Sequence, residues 1–170
     1  YEGPSSSFRA GDVPNDLKVT IPEGLSIQQI ADRLDDSEGF LAAASDPALI
    51  AAMGVQASSL EGFLMPNTYF FTKKPDGRAI VERMLEQFRK EYEAIRREIP
   101  EAAERPIIEL LTIASLIEEE ARLDEERANV ASVIYNRLDR GMMLQMDSTL
   151  QFALNKYGQR MLNADKEVDS

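Results

Sequence analysis

The chain has 170 residues, a length that suits one compact domain or one domain with a small appended module. Its 44% hydrophobic and 29% charged content is that of a globular protein, and a formal charge of −11 argues against non-specific nucleic-acid binding and against avid binding to an acidic membrane. With no Cys and no His, disulfides, thiol nucleophiles and Ser-His-Asp systems are excluded and zinc is disfavoured, so acid–base chemistry falls to Asp, Glu, Lys or Tyr.

Residues 1–17, rich in Gly, Pro, Ser and Asp, read as a lead-in linker. Lys18 to Pro22 alternates as a short strand with Val19 and Ile21 on one face. After Gly24, Ser26 and Gln29 form a capping-box pattern ahead of Ile27, Ile30, Ala31 and Leu34, so strand, turn and helix suggest a small α/β module. A second helical stretch runs from Phe40 to Met53, interrupted at Asp46-Pro47. From Leu60 to Phe71 the aromatics and Thr68 favour extended structure, with a turn at Pro66-Asn67 and another at Asp76-Gly77.

Residues 78–98 form the clearest helix, because Ile80, Val81, Met84, Leu85, Phe88, Tyr92 and Ile95 make a three-to-four-spaced core stripe. Pro106 suits the first turn of the next helix, which reaches about Ala121. Asp124 is a candidate cap for a further helix, with Glu125 and Glu126 near its positive end. That helix directs Val130, Val133, Ile134 and Leu138 inward and stops at Gly141. Met142 to Met146 is expected as a short strand, and Asp147 or Ser148 as the cap of a last helix ending near Gly158. The longest apolar run, Ile107 to Ile117, is interrupted by Glu109 and falls short of the roughly 20 residues of a membrane span; no signal-peptide pattern opens the chain.

Glu118 is the sharpest local anomaly. On a helical wheel it falls within about 20° of Ile107 and Leu111 and about 40° from Ala114, inside an apolar stripe. A carboxyl group among apolar side chains loses hydration when ionised, which favours the protonated form that a general acid needs near neutral pH. The alternative is a buried Glu neutralised by Arg122 or Arg137. Periodicity leaves both open.

Glu61, beside Gly62, could orient a sugar hydroxyl or simply bond backbone amides at a turn. Phe63, Tyr69, Phe70 and Phe71 suit sugar stacking or, more commonly for strand aromatics, the core. Asn136, Arg137, Gln145, Asp147, Ser148 and Thr149 either line a cleft or cap helices and satisfy loop backbone. The acidic run Glu118-Glu119-Glu120 with Asp124, Glu125 and Glu126 lacks the Gly-containing turn of a calcium loop and reads as a solvated helix end.

The segments LEGFLMPNTYFF (60–71) and ASLIEEEARLDEERANVASVIYNRLDRGMMLQMDSTLQFAL (114–154) resemble the signature blocks of the MltG/YceG family of endolytic murein transglycosylases. The matching positions are Glu61, Gly62, Pro66, Asn67 and Thr68, then Ala114, Ser115, Glu118, Glu120, Asn136, Arg137, Leu138, Gly141, Met142, Leu144, Gln145 and Asp147. VTIPEGLSIQQIADRL (19–34) is similar, more loosely, to the LysM-like subdomain of that family. The resemblance implies an α+β chain: a linker (1–17), a LysM-like α/β subdomain (18–55) and a mostly helical catalytic region with short strands (56–170). It implies Glu118 as the acid that cleaves the MurNAc–GlcNAc bond to leave 1,6-anhydro ends. Glu61, Glu120, Asn136, Arg137, Gln145 and Asp147 would support the substrate or the cleft.

No metal or organic cofactor is implied. The partners implied are peptidoglycan glycan strands and cell-wall synthases, and the location is the cell envelope. The family pattern also includes an N-terminal membrane helix and a Pro/Gly-rich block following the position of Ser170. A hydrolytic muramidase, with Glu61 or Asp147 activating water, and a non-catalytic glycan-binding scaffold are the competing readings.

Overall fold

The computed structural model describes residues 17–146 and Thr149. The elements are β1 (Lys18–Ile21), α1 (Ile27–Ala31), α2 (Ser37–Ala44), α3 (Pro47–Ala52), β2 (Asn67–Phe70), α4 (Gly77–Glu98), a 3-10 turn (Pro100–Ala103), α5 (Ile107–Glu120), a second 3-10 turn (Asp124–Glu126) and α6 (Arg127–Asp139). Helix and strand are mixed, as the α+β expectation requires. The described residues divide into two compact units that part between Glu104 and Arg105. Residues 1–16 of the lead-in expected over 1–17, and the segment after Met146 expected to hold a last helix, lie outside the described residues, Thr149 excepted.

In the first unit β1 and β2 pair antiparallel, with Val19 opposite Tyr69 and Ile21 opposite Asn67. Alternation puts Ile21 and Tyr69 in the core and leaves Phe70 exposed. Burial pushes the Tyr69 phenol up to about 12, so it stays a donor, and its hydroxyl bonds the Met65 carbonyl to close the turn before β2. The strand β2 lies beyond residue 55, so the compact unit that begins with β1 continues well past that position.

The helices of this unit start on side-chain caps. Ser26 and Gln29 form the expected capping box on α1. Asp36 caps α2 through the Gly39 N–H at 3.0 Å, and Asp76 caps α4 through the Ala79 N–H at 2.8 Å. Asp46 accepts from the Ala48 N–H at the start of α3, with Pro47 in its first turn. The interruption expected at Asp46-Pro47 is this cap.

The apolar stripe of α4 packs Ile80, Val81, Met84, Leu85 and Phe88 into a core shared with Phe40, Leu60 and Phe63. Phe63 and Phe88 meet edge-on at 5.4 Å between centroids. The stripe fades toward the C-terminal end of α4, where Ile95 is exposed.

The second unit is built around α5 and α6. Its core holds Ile113, Leu116 and Ile134, flanked by the half-buried Ile117, Val130, Tyr135, Leu144 and Met146. Arg105 lies over the Tyr135 ring at 5.0 Å and pairs with Glu109 at 2.7 Å. Val133 and Leu138, expected inward, are exposed instead. Among the described residues α6 meets α5 along a narrow stripe, which Ile134 and Val130 fill.

α6 ends in a Schellman motif. Gly141 has φ +63°, its N–H bonds the Leu138 carbonyl at 3.0 Å, and the Met142 N–H bonds the Arg137 carbonyl at 2.8 Å. The strand expected over Met142 to Met146 is not formed. Gln145 takes φ 51°, which breaks any extended run, and the segment lies against the α5–α6 core through Leu144 and Met146. Among the described residues no helix is long and apolar enough to cross a membrane.

Candidate active site

Glu118 lies in the last turn of α5, and its side chain is exposed rather than buried. This corrects the wheel-based expectation. Up to Ile117 the sequence of α5 is apolar around much of its circumference, so periodicity could not tell which face meets α6. The face that does carries Ile113 and Leu116, roughly opposite Glu118. Ile107 and Leu111, its stripe neighbours, are half-buried, and Ala114 is exposed.

The cation beside Glu118 is neither Arg122 nor Arg137. Arg127 Nη1 donates to Glu118 Oε2 at 2.7 Å, and Arg127 Nε donates to Asp124 Oδ1 at 3.0 Å. Arg127 is nine positions from Glu118, so the pair is invisible to helical spacing. The corner between the two helices brings them together. The chain leaves α5 through Ala121 in an extended conformation, and Glu126 Oε2 accepts from the Arg122 N–H at 3.1 Å and the Leu123 N–H at 3.2 Å.

Asp124 therefore does not cap α6 as expected. It opens the 3-10 turn, and its carboxylate goes to Arg127, while Glu126 serves the loop backbone. The only sequence signal for this arrangement is the three-residue spacing of Asp124 and Arg127.

Asn136 is exposed on α6, and Glu120 is exposed at the end of α5. Arg137 is half-buried, and its guanidinium donates to the Leu144 carbonyl, which ties α6 to the segment carrying Gln145. Gln145 is exposed with its backbone in the left-handed region, a conformation costing a non-glycine residue of order 1 kcal/mol. Asp147 and Ser148 lie outside the described residues; Thr149 donates to the Met146 carbonyl at 2.7 Å.

Glu61, in the first unit, is half-buried, and its Oε2 accepts from the Ile27 N–H at 3.1 Å. It thus ties the Glu61-Gly62 turn, where Gly62 has φ +82°, to the first residue of α1. Burial raises its carboxyl above the ordinary value, and the Ile27 N–H partly opposes that. The Glu61 carboxylate thus bonds a backbone amide. Phe63 and Tyr69 are core residues, whereas Phe70 keeps an exposed face.

The family model described as the YceG-like family matches residues 5–170, and the chain belongs to that family. It is 32% identical over 178 residues to a Streptococcus pneumoniae protein named endolytic murein transglycosylase, covering 89% of this chain and 32% of the relative. A Bacillus subtilis protein of the same name is 33% identical over 175 residues, covering 91% of this chain and 48% of the relative. The chain thus spans about a third of the first relative and about half of the second. A crystal structure of a YceG-like protein from Listeria monocytogenes superposes with a TM-score of 0.78 at 31% identity, over 91% of this chain and 57% of that one.

Proposed function

We propose that this chain carries the acid of an endolytic peptidoglycan transglycosylase, with Glu118 as the proton donor. The observation that carries the reading is an exposed carboxylate, fixed at the α5–α6 corner by Arg127, at the Glu-x-Glu position of a YceG-like chain. A polymeric glycan can reach such a group without entering a closed cavity, and the bound strand itself then excludes water.

In this mechanism protonated Glu118 donates to the oxygen linking MurNAc C1 to GlcNAc, and the C1–O bond breaks as positive charge develops at C1. The muramyl C6 hydroxyl closes on C1, its proton passes to the Glu118 carboxylate, and a 1,6-anhydro ring forms. The nucleophile belongs to the substrate, so no second catalytic carboxylate is needed. Asn136, Gln145 and Asp147 are assigned to sugar contacts, and Arg137 to holding the Gln145 segment through Leu144. Glu61 and Glu120 support the fold and the corner rather than the reacting atoms. Residues 18–55 are read as the LysM-like part of a glycan-binding module, and the catalytic region as residues 56–170. The site of action is the cell envelope, with a membrane anchor outside this sequence and cell-wall synthases as partners.

In the full-length protein Glu118→Gln is expected to lower cleavage of purified sacculi by about 10²- to 10⁴-fold, with anhydro-muramyl ends as the wild-type product by mass spectrometry. Unchanged cleavage by this variant excludes Glu118 as the acid. Reducing ends from the wild type favour the muramidase reading, and a wild type that binds glycan without cutting it favours the scaffold.

A further inference from the structure

We infer that Arg127, braced by Asp124, is a positioning residue that sets the direction in which Glu118 presents its carboxyl group; this rests on Glu118 being the proton donor. A glutamate at the exposed end of a helix has three free side-chain torsions, and fixing them opposes catalysis entropically unless a neighbour does so beforehand. Arg127 provides that restraint. Its Nη1 holds Glu118 Oε2 at 2.7 Å, while its Nε is anchored on Asp124 Oδ1 at 3.0 Å. Asp124 and Arg127 lie three residues apart across the start of α6, and Glu126 fixes the preceding loop through two backbone N–H groups.

Only one carboxyl oxygen is engaged. Among the described residues Glu118 Oε1 accepts no hydrogen bond, so it is the oxygen available to face the glycosidic bond. The same guanidinium lies where it meets the carboxylate that proton donation leaves behind, before that carboxylate takes the C6 hydroxyl proton. The ion pair is 45% and 42% exposed on its two sides, a setting in which such pairs contribute little to folding stability. Its value is therefore directional, and activity separates from stability in the test.

In the full-length protein, Arg127→Ala is expected to lower kcat on soluble uncrosslinked glycan strands by about 10- to 100-fold, with KM and the melting temperature essentially unchanged. Arg127→Lys keeps the charge without the fork, so it recovers part of that loss; Asp124→Asn gives a smaller loss of kcat with the same KM. Wild-type kcat in Arg127→Ala, alongside an inactive Glu118→Gln, overturns the inference and leaves the proton-donor reading standing. A loss of activity that follows a lowered melting temperature, with no recovery in Arg127→Lys, also overturns it, because the role is then structural. Full activity in Glu118→Gln removes the proton-donor reading and this inference with it.

Discussion

In the unit that ends at Glu104, Asp36, Asp46, Asp76 and Glu61 each accept a backbone N–H at the start of a helix, Asp46 while also pairing with Arg78 at 2.7 Å; in the unit that begins at Arg105, Glu126 serves loop amides, but Glu118 and Asp124 are held by the guanidinium of Arg127. The cores differ in the same sense. Phe40, Leu60, Val81, Met84 and Leu85 are almost wholly buried in the first unit, while among the described residues of the second three buried residues are surrounded by half-buried ones. Carboxylates committed to backbone amides close the fold and have little freedom left for chemistry. Glu118, held by a side chain through one oxygen, stays exposed. The comparison teaches that two exposed carboxylates of the second unit, Glu118 and Asp124, are oriented by a side chain rather than by helix-start amides.

The largest expected effect on stability tests the difference in packing. Phe40→Ala should destabilise by about 3–5 kcal/mol, and Ile134→Ala by about 2–5 kcal/mol toward the lower end, because the half-buried shell around Ile134 can collapse into the space. Urea denaturation measures both, and hydrogen exchange in α2 and α4 against α6 assigns each loss to its unit. Equal losses would break the contrast.

Gly77→Ala comes next. A methyl group at Gly77 would overlap the backbone of Gly39 and Phe40, where α4 starts against α2, and backbone cannot move aside as a side chain can. The expected destabilisation is about 1–3 kcal/mol or somewhat more, read as a lowered melting temperature. Gly141→Ala in the second unit has open space around the new methyl group, so its effect comes from the left-handed φ of +63° and should be smaller, about 1 kcal/mol.

The smallest effects are in pH dependence, and two carboxylates of the first unit should act with opposite sign. The Gly77 N–H, then the Gly39 N–H, hold Asp36 below its ordinary value, so its contribution is present above the unfolded value and is lost as pH falls through the folded one. Glu61 is raised by burial, so its contribution is full below the unfolded value and is lost as pH rises through the folded one. Thermal melts across the acidic range should show Asp36→Asn flattening the acid-side loss and Glu61→Gln flattening the decline above it. A Glu61→Gln curve parallel to the wild type would show that its carboxyl is not desolvated.

Much of the first unit was legible because its signals are local. The capping box at Ser26 and Gln29, the break at Asp46-Pro47 and the stripe from Ile80 to Phe88 each depend on neighbours within a turn or two, and the matched blocks pointed to the family by residue order alone. Tertiary structure decided the rest. It chose which apolar face of α5 meets α6 and so turned Glu118 outward, and it joined Glu118 to Arg127 across nine positions of chain. It also assigned Glu61 to the α1 amide and bent the expected strand at Gln145 into the left-handed region. A sequence determines which residues can cap, pack or ionise, because those properties reside in single side chains and their helical or strand spacing. Which oxygen meets which donor depends on how a corner folds back, and that is a property of the packed chain.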